Sequence, residues 1–456
     1  MKTIIHFLLS MISVTAVAQT GENFDLLYHW SDTNLVGSAM YNNTYNEIWG
    51  LAVNDREFAI IGTTAGTHIF DVTDPTNSEQ VQFIAGEDFG PAIIHRDYHD
   101  RNGYLYAVSD EGNSSLQIID IQQLPDTAIV VYDSSELIKS SHNIFIDEKL
   151  NTLYACNVRT PGSGWGSTSL VLFDINDPVN PIHLLDYAVP GAGYGVHDMW
   201  VRNDTAFLNN GGDGLFVVDF SDILAPQMIG SLTEYPDKGY NHSGWPTADM
   251  QTYIMADEDW GYDMKVLDIS NLSDISVTTT FNPEVHPNSI AHNQIVNGDY
   301  VYVSSYHDGL QVYNISDPSN PTKSGSFSTY ELNDHGNTYH GAWGVYPFLP
   351  SGNILVSDMQ YGLFVLAPSL NFDIQNIKER DLSIYPNPAK NELRIQLPKG
   401  ETKLSIVIYD SRGLEVLKRG FSKTIKYIDT AHLKPGIYFI TGQGEKAVYQ
   451  QKLIVR

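Results

Sequence analysis

Residues 172–178 read Leu-Phe-Asp-Ile-Asn-Asp-Pro: an apolar run, a carboxylate, one more apolar residue, then a turn. Variants of this phrase recur as HIFDVTDP at 68–75, QIIDIQQLP at 117–125, FVVDFSDI at 216–223, KVLDISNL at 265–272, QVYNISDP at 311–318 and a worn FVLAPSL at 364–370. The pivotal position falls on Asp71, Asp120, Asp174, Asp219, Asp268, Asn314 and Ala367, in steps of 49, 54, 45, 49, 46 and 53 residues. A period of about 40 to 55 residues with several short strands per unit predicts a β-propeller. The fold class expected is therefore all-β, a seven-bladed propeller.

One unit shows how a blade is written. In residues 286–327, the runs NQIV, YVYVSS, LQVYNI and TKSGSF are separated by turn residues. Tyr300, Tyr302 and Ser304 alternate with Val301 and Val303, the period of a strand. Asp308-Gly309 is a hairpin signal between the second and third runs, and Asp317-Pro318 ends the third. Each such blade has apolar residues on both faces, which only neighbouring blades can cover.

A second landmark keeps the same count. A histidine precedes the first strand at His95, His142, His197, His242, His292 and His340, and Asn46 takes that place in the first unit. Those steps are 49, 47, 55, 45, 50 and 48 residues. The last unit runs out of a fourth strand after GLFVLAP, and FDLLYHW at 24–30 resembles the fourth run of the third unit, PIHLLDYAV. Residues 24–30 are expected to close the seventh blade and so remove two unpaired edges. The alternative is a loose N-terminal strand.

Charge divides the chain. The formal net charge is -28; residues 1–377 hold 46 acidic and 11 basic side chains, whereas 378–456 hold 8 and 15. The expected plan is a signal peptide at 1–18, a propeller at 19–370, a linker at 371–380 (including NFDIQNIKER) and a small C-terminal β-sandwich at 381–456. An acidic propeller repels nucleic acid and anionic headgroups, leaving cations, basic proteins and neutral sugars as partners. Lys2, the apolar IIHFLLSMISV and the small Ala16-Val17-Ala18 read as an export signal. No stretch has the length and hydropathy of a transmembrane segment. The single cysteine, Cys156, lies in the strand-like TLYACNV, where a buried small hydrophobe is expected.

Tyr385-Pro386-Asn387-Pro388, the segment IYDSRGLEV, the turn Leu433-Lys434-Pro435-Gly436-Ile437-Tyr438 and the ending KLIVR give the C-terminal residues a resemblance to the type A sorting domain of the type IX secretion system. It implies type IX secretion machinery as a partner, passage across the outer membrane, and a chain released or attached at the cell surface. A carbohydrate-binding or adhesive sandwich is the alternative. LFDINDPVNP, VYNISDPSNP and IFDVTDPTNS likewise resemble LVIVD-repeat proteins, some with variable surface anchors, across most of residues 46–370. That resemblance implies a fold and an extracellular setting, without a ligand or a reaction.

The candidate site follows from propeller geometry. Loops that precede first strands and loops that join second to third strands share one face. His95, His142, His197, His242, His292 and His340 belong to the first set; Asp110, Asp213, Asp259, Asp308 and Asp358 to the second. The expectation is an acidic, histidine-rich face that binds a protein or glycan, with Trp49, Trp200, Trp245 and Trp343 as its aromatic inner wall. The bland reading resembles WD-type propellers, in which such histidines bond turn carboxylates to hold the fold. A divalent metal on a neighbouring histidine pair plus a carboxylate is a further reading, as is calcium in ADEDWGYD at 256–263. There is no GxSxG elbow, HExxH or phosphate-cradling loop. The catalytic alternative is a metal-assisted hydrolase or lyase that uses the channel histidines as bases.

Overall fold

Asp174 accepts a hydrogen bond from the backbone N–H of Asn176 at 2.8 Å, and this local turn explains the recurring phrase. Asp71, Asp120, Asp219, Asp268 and Asn314 make the same bond to the residue two positions on. Each caps the end of a third strand and starts the return into a fourth. An amide oxygen accepts as well as a carboxylate, so Asn314 serves. Ala367 marks the one unit in which no return is needed. Its strand pairs instead with Phe24–Trp30, with Asp25 opposite Ala367.

A computed structural model describes residues 21–147, 150–163, 166–332, 335, 338–369, 380–397, 401–410, 415–422, 425–431, 433–443 and 448–456. The expected signal peptide and most of the linker lie outside these. Two compact units emerge, Met1–Ser369 and Leu370–Arg456.

The first unit holds seven antiparallel sheets. Their innermost strands are Tyr45–Val53, Arg96–Arg101, Ile144–Asp147, Asp198–Arg202, Asn241–Pro246, Asn293–Asn297 and Ala342–Tyr346 (blades 1 to 7). Each innermost strand packs on the next, and that of blade 7 packs on that of blade 1, so the ring is closed. Apolar clusters fill the gaps between blades: Val108, Ile118, Ile146 and Phe173 between blades 2 and 3, for example. The seam is sealed by Trp30, whose ring lies 4.7 Å from Phe70 of blade 1 and 5.6 Å from Tyr45. Cys156 is fully buried against Met199, and burial raises its thiol far above the ordinary value.

The second unit has a five-stranded and a three-stranded sheet. Leu393, Ile395, Ile406, Ile408, Ile440 and Leu453 form its core. Its sequence motifs hold local geometry: Asn387 donates to the Lys452 carbonyl and accepts from the Ile454 N–H, and the Tyr438 hydroxyl donates to the Lys434 carbonyl.

Candidate functional site: the axial channel

Three layers of side chains from the innermost strands line the axis. At the mouth where each first strand begins, His95, His142, His197, His242 and His292 stand in sequence, with ring centroids 5.2, 4.2, 4.3 and 4.5 Å apart. Trp343 completes the circle, 4.0 Å from His292 and 5.0 Å from His95. The rings close upon one another. His95 and His142 keep side-chain exposures of 18% and 14%.

His340 does not join them. Its Nδ1 is 2.9 Å from the Tyr330 hydroxyl, in a satellite cluster with His307, His335 and the His335-bound Asp308. The segment before blade 7 carries His340 outward, and Trp343 fills the vacated sector. Asn46 also turns away, its amide donating to the Ile94 carbonyl.

The acidic turns serve unequal ends. Asp110 lies 2.8 Å from Nδ1 of His142, a bond between blades rather than within one. Burial alone would raise Asp110, but the adjacent imidazole overrides it and holds the carboxyl below its ordinary value. The same pair drives His142 the other way: burial lowers it, Asp110 wins, and its pKa rises to about 9. Asp213 accepts from the Gly193 and Tyr194 amides, and Asp259 from the Tyr240 amide. Asp358 is buried beside Thr329, the Gln360 amide and the Tyr361 amide. Only Asp110 of the five predicted aspartates reaches the ring. Glu111, bonded to His95, and Glu258, 3.7 Å from Nε2 of His242, hold the places expected of their neighbours. The segment 256–263 forms no oxygen cage: Asp257 pairs with Lys265, Glu258 with Tyr306, and Asp263 with Asn282.

Beneath the histidines lies a buried acidic layer that repeat reading missed. Glu47 accepts from the Ile48 amide, Asp97 from the Ile144 amide and Asp198 from the Met199 amide. Desolvation and mutual proximity push Glu47 well above the carboxylate range. Burial alone is the largest cause for Asp97, raised to about 7, and Asp198, raised to about 6. The available signal was a carboxylate directly after the ring position in blades 1 and 4.

The third layer widens into a cavity of about 780 Å³ at the opposite end. Trp49, His99, Phe145, Trp200, Trp245, Tyr346 and Phe348 wall it, with neighbouring centroids 4.7 to 6.4 Å apart. Asp100, Arg101, Asn102, Asp147, Arg202, Asn203 and Asn297 also line it. The four tryptophans expected to share the histidine face are thus split. Trp343 stays with the histidines; Trp49, Trp200 and Trp245 face the far mouth, because three residues of extended strand span the channel.

Residues 383–456 match the secretion system C-terminal sorting domain, and residues 193–234, 254–282 and 290–329 match the LVIVD repeat. No curated protein sequence matches the chain. Among solved structures, U3-55K aligns at 8% identity and TM-score 0.52 over 75% of this chain and 98% of its own. A protein from Lactobacillus plantarum aligns at 12% identity and TM-score 0.50 over 80% and 95%. PorZ, a surface component of the type-IX secretion system of Porphyromonas gingivalis, aligns at 12% identity and TM-score 0.46, over 93% of this chain but only 61% of PorZ. At such identities the likeness is one of fold alone.

Proposed function

We propose that this β-propeller protein, which carries LVIVD repeats and a C-terminal domain for export by the type IX secretion system, binds the end of a neutral oligosaccharide in its aromatic funnel. The observation that carries the reading is the lining of the 780 Å³ cavity. Flat indole and phenyl faces cover the apolar C–H faces of sugar rings, while amides and charged groups at the rim meet hydroxyls. Asp100 and Asp147 are balanced by Arg101 and Arg202, so the rim favours neither anion nor cation. The Trp49 indole N–H donates to Asp100 at 2.8 Å, which fixes one platform in place. On this reading the propeller is a binding module at the cell surface or beyond, and the closed histidine end is its plug. Titrating the full chain with neutral oligosaccharides in a calorimeter tests it. Saturable heat that disappears in Trp200→Ala and Trp245→Ala supports the reading. Binding that survives both changes, or no binding across a broad glycan set, overturns it.

A further inference from the structure

The histidine ring also contains a constellation that hydrogen bonding alone leaves incomplete. Nε2 of His242 is 3.7 Å from Oε2 of Glu258, and ligand atoms of His197, His242 and Glu258 all lie within 4.8 Å of one another. Two ligands at the usual 2.0–2.1 Å from a tetrahedral zinc stand about 3.3 Å apart. The His242–Glu258 separation lies near that value.

Two of the three groups are held from outside. Nδ1 of His197 faces the Tyr240 hydroxyl at 2.9 Å. The Tyr306 hydroxyl donates to Oε1 of Glu258, leaving Oε2 toward His242. Such contacts fix the orientation of the His197 ring and of the Glu258 carboxylate. Nδ1 of the buried His242 has no hydrogen-bond partner among the described residues.

We propose that His197, His242 and Glu258 bind one divalent transition ion of the zinc class, with Tyr240 and Tyr306 as positioning residues. Three protein ligands leave the fourth tetrahedral position to water. His197 comes from blade 4, and His242 and Glu258 from blade 5; the ion ties these two consecutive blades together at the axis. This inference is independent of the sugar reading, which concerns the other end of the channel.

The test uses the full chain, stripped with chelator and then titrated with Zn²⁺. One equivalent should bind, and its addition should raise Tm. Glu258→Gln and His197→Ala should weaken binding at least tenfold, and Tyr306→Phe about tenfold. His340→Ala, outside the constellation, should leave stoichiometry and affinity unchanged. Co²⁺ substitution should give the intense visible absorption of a tetrahedral site, which His242→Ala should abolish. Circular dichroism of each metal-free variant separates lost ligands from lost fold. Absence of binding by the folded full chain overturns the proposal. So does binding that falls as much in His340→Ala as in His197→Ala, which would mark adventitious capture.

Discussion

Nζ of Lys265 and Oδ2 of Asp257 meet 2.7 Å apart with both side chains at 0% exposure. The ammonium also sits 5.7 Å from the Tyr235 ring centroid and 5.5 Å from that of Tyr262, and Asp257 accepts from the Tyr235 hydroxyl and the Gly239 amide. Removing one partner strands the other charge without water. Lys265→Ala should therefore cost about 3–5 kcal/mol in urea unfolding. The double change Lys265→Met with Asp257→Asn should recover most of that loss. Equal loss in both variants would contradict the pairing.

The recurring turn predicts a graded response at one position. Asp174→Ala leaves the Asn176 amide without its acceptor and should cost about 1 kcal/mol. Asp174→Asn should be nearly neutral, since Asn314 already performs the task in blade 6. Denaturation midpoints of the two variants give the comparison; equal losses would remove the turn as the reason for the repeat.

Closure of the ring by the N-terminal strand makes Trp30 costly to lose. Trp30→Ala opens the packing against Tyr45 and Phe70 and should destabilise by about 3 kcal/mol. Hydrogen exchange should then rise first in Gly362–Pro368, the strand that Phe24–Trp30 covers. Unchanged exchange there would contradict the seam.

Asp358 gives the propeller a pH signature. Burial raises its pKa to about 7, against an ordinary 3.8. The folded state therefore holds a proton that the unfolded chain has released between those values. Its stabilising effect is complete below about pH 4 and is lost as pH rises through about 7. Asp358→Asn cannot ionise, so the Tm of the wild-type chain relative to this variant should fall steadily between pH 4 and pH 8. A constant difference would show that the group is not buried as described.

Blade number and blade boundaries were legible because each depends on a local interaction. An acceptor at Asp71 or Asp268 caps a turn wherever it occurs, so it recurs at a fixed place in the strand pattern. The worn Ala367 was legible as an anomaly, but its reason is non-local: its partner strand is Phe24–Trp30. The site was harder to read, because the ring depends on where inner strands begin relative to the axis. Spacing alone counted His340 in, whereas Tyr330 holds it outside and Trp343 takes the sector. Blade 2 carries an extra residue before its strand pattern resumes, so Asp97 and His99 enter their layers one position later than Glu47 and Trp49. One residue of register also separates Glu258, which faces His242, from Asp259, which supports a loop amide.

The channel is closed by imidazoles at one end and opens into an aromatic cavity at the other. The most direct measurement is a crystal structure of the full chain soaked with an oligosaccharide that calorimetry shows to bind. Sugar density stacked on Trp49, Trp200 or Trp245 is the predicted result. Sugar seated over His95 and His142, with the funnel empty, would contradict it.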